Sequence, residues 1–451
     1  MIAIVFCFLA FVVTYWAGRR SLGKGLVALL VVGYFYGIVR ANLLTMFAHF
    51  TFDAGLVGLY LSPHWRKADA KEQRRTSTVK MATILLIAWP ALLVVLPFQP
   101  LLVTLVGLRG NVFFLPLLLI GSRLKHEDLK ELSIGLGVLN LVALGFAGAE
   151  YFLGLPRFFP ESPVTWIMYS SSDVAGGFFR IPATFISAHA YGGMMVLTLP
   201  FLIGCWESVE SRTARLAAVL GTGAALMGVL MSATRQNFVL AAAMIIATIL
   251  TSRLKTRSRV VFMLLVIVMG AVALSNSRFQ RFKSLSDTGS VSDRVAGSVN
   301  RGLFEMILEY PMGNGLGGGG TSLPYFLASQ VRNPIGMESE YARVVCEQGI
   351  IGLVLWCAIV VAYFARVKTA FAKGPWTGSR RLMWCMAAFT LLSGFIGLGA
   401  FTSIPATVLL LLGMGWTAIP MVRTTPVASS AASRAGYLSP LRNRYSLTYG
   451  G

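Results

Sequence analysis

ESEYARVVCEQGIIGLVLWCAIVVAYFAR, residues 338–366, sets three carboxylates and an arginine ahead of an apolar run that continues to Ala365. A bilayer's hydrocarbon core takes about 20 helical residues to cross, so the run is read as a membrane helix with a charged mouth. About twelve more such runs lie near 1–17, 25–40, 41–62, 81–97, 99–121, 133–150, 184–206, 216–233, 236–252, 260–275, 382–400 and 405–420. With 56% hydrophobic and 13% charged residues in 451 and a mean hydropathy of +0.70, the composition lies outside the soluble globular range. The expected fold is all-α: a polytopic bundle of about 12–13 transmembrane helices. The first run lacks a small-residue cleavage site and is expected to stay as a helix.

The formal charge of +21 raises the question of nucleic acid, and its distribution argues against that partner. Basic residues crowd alternate loops, such as HWRKADAKEQRR (64–75) and RVKTAFAKGPWTGSRR (366–381), and the tail. The positive-inside rule makes those loops cytoplasmic and puts the N-terminus outside and the C-terminus inside. Nine of the ten lysines then fall inside, whereas the outer face and the spans hold eleven arginines and Lys283. Arginine's planar fork pairs bidentately with phosphate or carboxylate; lysine is a point charge. The plain alternative is that these arginines pair with nearby carboxylates or lipid headgroups.

The chain divides into N-terminal helices (1–150), central helices with a first outer loop (151–275), a large outer loop (276–345), C-terminal helices (346–420) and a small, polar tail (421–451) expected to be disordered. The five cysteines imply no disulfide framework. The four histidines lack metal-ligand spacing, so neither a metal nor a cofactor is expected. In the large loop VSDRVAGSVNRGLFEMILEY (291–310) has the spacing of an amphipathic helix, with Arg294 and Arg301 on one face. Glu305 and Glu309 are possible partners for Arg301. PMGNGLGGGG (311–320) then stops the helix, as a lid hinge or an anion-binding nest.

Several residues stand out as candidates. Arg180 sits where an outer loop enters a span, and Arg235 in a short outer turn, where a charge needs a partner. His189, nine residues after Arg180, is either a packing histidine or a base. Asp53 is intramembrane, with Arg40 or Arg109 as partner. At the charged mouth Glu340, Arg343 and Glu347 stand three and four apart on a helix and can satisfy one another. Glu338 is left over as a candidate base, its alternative being a solvated charge at a helix start.

These residues resemble the O-antigen ligase and O-antigen polymerase family of bacterial envelope glycosyltransferases. Its closing motif, roughly H-N-x-Y-L-x-x-L-x-E-x-G-x-x-G-L, is matched at Tyr341, Glu347, Gly349, Gly352 and Leu353. FFRIPATF (178–185) is similar to an Arg-x-x-G-T-F block, SATRQN (232–237) to Ser-x-x-Arg-Gly, and YPMGNGLGGG (310–319) to a Pro-x-G-x-G-x-G turn. The resemblance covers about residues 175–365. It implies a GT-C-like fold with one large periplasmic loop domain and metal-independent transfer of a lipid-linked glycan at the periplasmic face of the bacterial inner membrane. Arg180 and Arg235, with Arg294, would hold the diphosphate of an undecaprenyl-linked donor. Arg301, His189, Glu340 and Tyr341 would complete the substrate site, and Glu338 with Arg235 would be catalytic. The implied partners are the undecaprenyl-diphosphate-linked donor, a glycan acceptor, membrane lipids, and chain-length regulator and flippase proteins. The sequence departs where the family has its ligase histidine, here Glu338, its asparagine, here Ser339, and a glycine, here Ala183. Those departures favour a polymerase of exopolysaccharide, capsule or O-antigen repeat units over a ligase or protein O-oligosaccharyltransferase. The reading from another class is a transporter of polysaccharide or lipid-linked glycan, with intramembrane charges along its path.

Overall fold

The computed structural model describes residues 1–65, 70–170, 179–251, 260, 263–265, 267, 268, 270, 271, 303–319, 323–337, 339–374, 376–395, 397 and 403–420. Among them every regular element is helical. The longer helices are α1 (Ile2–Arg20), α2 (Leu22–Asn42), α3 (Thr51–Leu61), α4 (Ala70–Leu93), α5 (Leu101–Val112), α6 (Pro116–Gly121) and α7 (His126–Leu153). They continue as α8 (Ala188–Ser208), α9 (Arg212–Met231), α10 (Arg235–Thr251), α11 (Glu340–Phe364), α12 (Thr377–Ser393) and α13 (Ala406–Thr417). Among the described residues eight stretches are long and apolar enough to cross a membrane: α1, α2, α4, α5 with α6, α7, α8, α9 and α11. Met46–Leu61, Arg235–Leu250 and Ala406–Thr417 are shorter apolar helices. The chain is a helical multi-pass membrane protein.

Caps move several boundaries away from the hydropathy. Ser21, Ser187 and Ser339 accept the backbone N–H groups of Lys24, Ala190 and Ala342 at 3.0, 3.1 and 3.3 Å. A serine that takes an otherwise orphaned amide fixes where a helix begins. So α8 starts at Ala188 rather than 184, and α11 starts at Glu340, six residues before its apolar run. The expected span at 99–121 is two helices, with Pro116 opening the second, because proline fits a first turn and lacks the N–H an interior needs. The expected span at 41–62 is likewise broken: a 3-10 helix, Met46–Phe50, precedes α3.

Burial grades the bundle from lipid to centre. Only 22% of the apolar window of α1 is buried, and Phe8 and Trp16 face outward, whereas 89% of the α8 window is buried. α7, α9 and α8 pack together around small residues; a Cβ at Gly221 would lie 2.5 Å from the Gly137 backbone. Close approach at small residues is how membrane helices gain van der Waals contact, since lipid gives no hydrophobic drive between them. Polar side chains cross the same seam, where Tyr34 donates to Asn140 at 2.6 Å and Asn140 donates to Thr198 at 2.9 Å.

Hydrogen bonds between element ends define one face of the bundle. Ile38 N–H donates to the Thr184 carbonyl, Asn42 to the Phe158 carbonyl, Asn237 to the His189 carbonyl and Gln236 to Ser393. Glu340 N–H donates to the Gly394 carbonyl at 2.8 Å. The last turn of α2, the first turns of α8, α10 and α11 and the end of α12 therefore meet there. At the opposite face Arg380 donates to the carbonyls of Trp416, Thr417 and Ile419 and stacks on the Trp416 ring.

Candidate functional site

Arg180 and Arg235 stand 55 positions apart in sequence and meet at the face just described. Arg180 lies in the non-helical stretch that leads to α8. Three residues on, Ala183 adopts φ +52, a left-handed conformation that costs a residue with a Cβ about 1 kcal/mol or more. The buried Glu150 carboxylate at the end of α7 accepts the Ala183 N–H at 3.0 Å and holds that strained turn. This is the position where the resembled motif has glycine.

Arg235 opens α10 after the turn Ser232–Ala233–Thr234, rather than sitting within the turn as the sequence implies. Ala233 is also left-handed, at φ +48. Ser232 and Thr234 hydroxyls lie 2.9 Å apart, and Asn237 donates to Thr234 at 2.9 Å and to the His189 carbonyl at 3.3 Å. Strained residues persist where surrounding contacts hold them and cluster at functional sites. Of four non-glycine residues with positive φ among the described residues, two flank these arginines.

Neither guanidinium forms an ion pair with a carboxylate among the described residues. Both Nε atoms are buried and lack a hydrogen-bond partner there. Burial, followed by the Arg235 charge, pulls the Arg180 guanidinium below its ordinary value. Two half-buried cations that repel each other in a low dielectric favour a bound anion, and forked donors suit a phosphate. Beside Arg235 a cavity runs between α8, α10 and α12, lined by His189, Gln236, Asn237, Ser393 and Gly394.

No protein-family model matches this sequence, and no curated protein matches it.

The charged mouth of α11 folds on itself. Arg343 donates to Glu340 at 2.8 Å, to Glu347 at 3.0 Å and to Asn111 of α5 at 3.1 Å, while Asn111 donates to Glu347 at 2.5 Å. Glu340, Arg343 and Glu347 are 1%, 2% and 0% exposed. The brace expected from their spacing is present, with Asn111 as a fourth member. Glu340 and Tyr341, implied as substrate contacts, are buried here. Glu340 is closed in by Arg343, and Tyr341 packs at 4.3 Å on Phe395 and donates its hydroxyl to the Leu391 carbonyl. Both frame the site from inside the helix contact.

The glycine-rich turn packs against α5 and α11. Gly313, Gly315 and Gly317 have φ of +83, +85 and +80, and Asn314 N–H donates to the Cys346 carbonyl. α11 yields in return: Gly349 leaves helical geometry at φ +69, and Ile350 N–H donates to the Pro311 carbonyl at 2.9 Å. Only glycine takes such a conformation without strain, which accounts physically for a glycine two residues after Glu347.

Glu338, Arg294 and Arg301 lie outside the described residues, as does most of the expected helix at 291–310, of which 303–309 is helical. Asp53 pairs with Arg109 rather than Arg40, through two bonds of 2.8 and 2.6 Å. Sequence reading passed over Glu150 and Asn111. The one available signal for Glu150 was a lone carboxylate closing an apolar run; Asn111 had none, since its charged partners Arg343 and Glu347 are more than 230 positions away.

Proposed function

We propose that this protein is an inner-membrane glycosyltransferase that polymerises undecaprenyl-diphosphate-linked repeat units at the periplasmic face. The observation that carries the reading is the meeting of Arg180 and Arg235, both lacking a carboxylate partner among the described residues, next to a cavity lined by Gln236, Asn237 and His189. The two guanidiniums take the diphosphate of the donor. The acceptor hydroxyl attacks the anomeric carbon; the bond from that carbon to the diphosphate oxygen breaks, and undecaprenyl diphosphate leaves with the electron pair. Charge grows on the departing oxygen, and donors already oriented toward it stabilise the transition state more than the ground state.

The acceptor's proton passes to Glu338, two residues before the brace. His189, on the cavity wall, is the next candidate. The brace and the Ser339 cap together hold the first turns of α11. The ligase and transporter readings draw on the same arginines, and the polymerase rests on the family-like order of motifs with a carboxylate in the histidine position.

The test is Arg235→Lys. A lysine keeps the charge and loses the fork, so polymer synthesis from a purified undecaprenyl-diphosphate repeat unit is expected to fall at least about 100-fold, as for the loss of one preorganised donor. Polymer of wild-type length and rate from a correctly inserted variant would sink the diphosphate clamp.

A further inference from the structure

Arg40, in the last turn of α2, is half-buried, and its Nε is buried without a hydrogen-bond partner among the described residues. Its guanidinium lies against the Tyr36 phenol, whose hydroxyl donates to the His49 carbonyl at 3.0 Å. Arg40 and Arg109 both act electrostatically on His49, so the three form one cluster. The carboxylate of that cluster, Asp53, is held bidentately by Arg109, which leaves Arg40 without an ion pair among the described residues. Tyr325 and Phe326 close over the His49 ring at 6.0 and 5.5 Å.

This cluster is separate in sequence from the Arg180–Arg235 pair and stands at the same face. Ile38, two residues before Arg40, donates its N–H to Thr184, in the segment that carries Arg180. Two guanidiniums against one carboxylate, in a half-buried setting, make a site for an anion with several oxygens.

We propose that Arg40, supported by Arg109, is a second diphosphate site, which holds the diphosphate of the acceptor lipid while Arg180 and Arg235 hold that of the donor. The proposal rests on the polymerase reading. When one lipid-linked repeat unit is joined to another, both substrates carry a lipid diphosphate: the donor loses it and the acceptor keeps it. A transfer onto any other acceptor needs one such site.

The experiment measures equilibrium binding of undecaprenyl diphosphate to the purified full-length protein in detergent micelles. Wild type is expected to bind two equivalents, and Arg40→Gln and Arg235→Gln one each. Arg40→Lys, a milder change that guards against misfolding, is expected to weaken one equivalent on the order of tenfold by losing the fork. Two equivalents with wild-type affinities in both Arg40 variants overturn the second site and leave the donor reading standing. Loss of an equivalent in Arg40→Gln with none in Arg235→Gln supports the Arg40 site and overturns the donor reading. If excess phosphatidylglycerol displaces the Arg40-dependent equivalent, the cluster holds a phospholipid headgroup and the proposal fails.

Discussion

Arg343→Met tests the brace most directly. In the native protein Arg343 forms an ion pair with both Glu340 and Glu347 on α11, and both carboxylates are at most 1% exposed. Methionine keeps the length of the side chain and removes the charge. Two carboxylates then remain at membrane depth with Asn111 as the donor to Glu347. Breaking a buried ion pair by removing one partner costs about 3–5 kcal/mol. The lower end applies here, because polar groups in an unfolded membrane-embedded helix also find partners. About 3 kcal/mol is a large share of a stability of about 5–15 kcal/mol. The assay is thermal unfolding in detergent, followed by the monodisperse fraction after heating. Glu340→Leu/Arg343→Met/Glu347→Leu, which removes all three charges, is expected to recover most of the loss. A single variant as stable as wild type, or a triple variant no better than the single, would refute the account of the segment as a self-satisfied brace.

Arg380→Met leaves the carbonyls of Trp416, Thr417 and Ile419 without their shared donor and is expected to lower stability by about 2–4 kcal/mol in the same assay, with Arg380→Lys recovering part of it. Ala233→Val puts a β-branched side chain at φ +48, so a loss of about 2 kcal/mol or more and a fall in polymer yield are expected, while Ala233→Gly keeps both within about 1 kcal/mol of wild type. Glu338→Gln is expected to lose more turnover per folded molecule than Glu340→Gln, whose cost falls on thermal stability; equal turnover in both would move the base to His189.

The membrane class, the rough positions of the spans and the brace were legible in the sequence because each depends on near neighbours. A run of apolar residues has its transfer free energy wherever it folds, and residues three and four apart on a helix touch whatever surrounds them. Helix boundaries differ from the hydropathy because of local chemistry that hydropathy does not weigh: Ser187 starts its helix four residues into the expected run, and Ser339 starts its helix six residues ahead of the apolar run. Pro116 divides the span over 101–121 into two helices for a similar reason.

The sequence by itself determined that the chain crosses a membrane as helices and that Arg343 sits between Glu340 and Glu347. Only the tertiary structure decided that Asp53 takes Arg109 and leaves Arg40 over, that Tyr341 turns into the frame, and that Arg180 meets Arg235. Helical periodicity sets the first kind of contact within one turn. The second kind spans 50 positions or more, and it exists because small residues let the helices pack closely and side-chain hydrogen bonds tie their ends at one face.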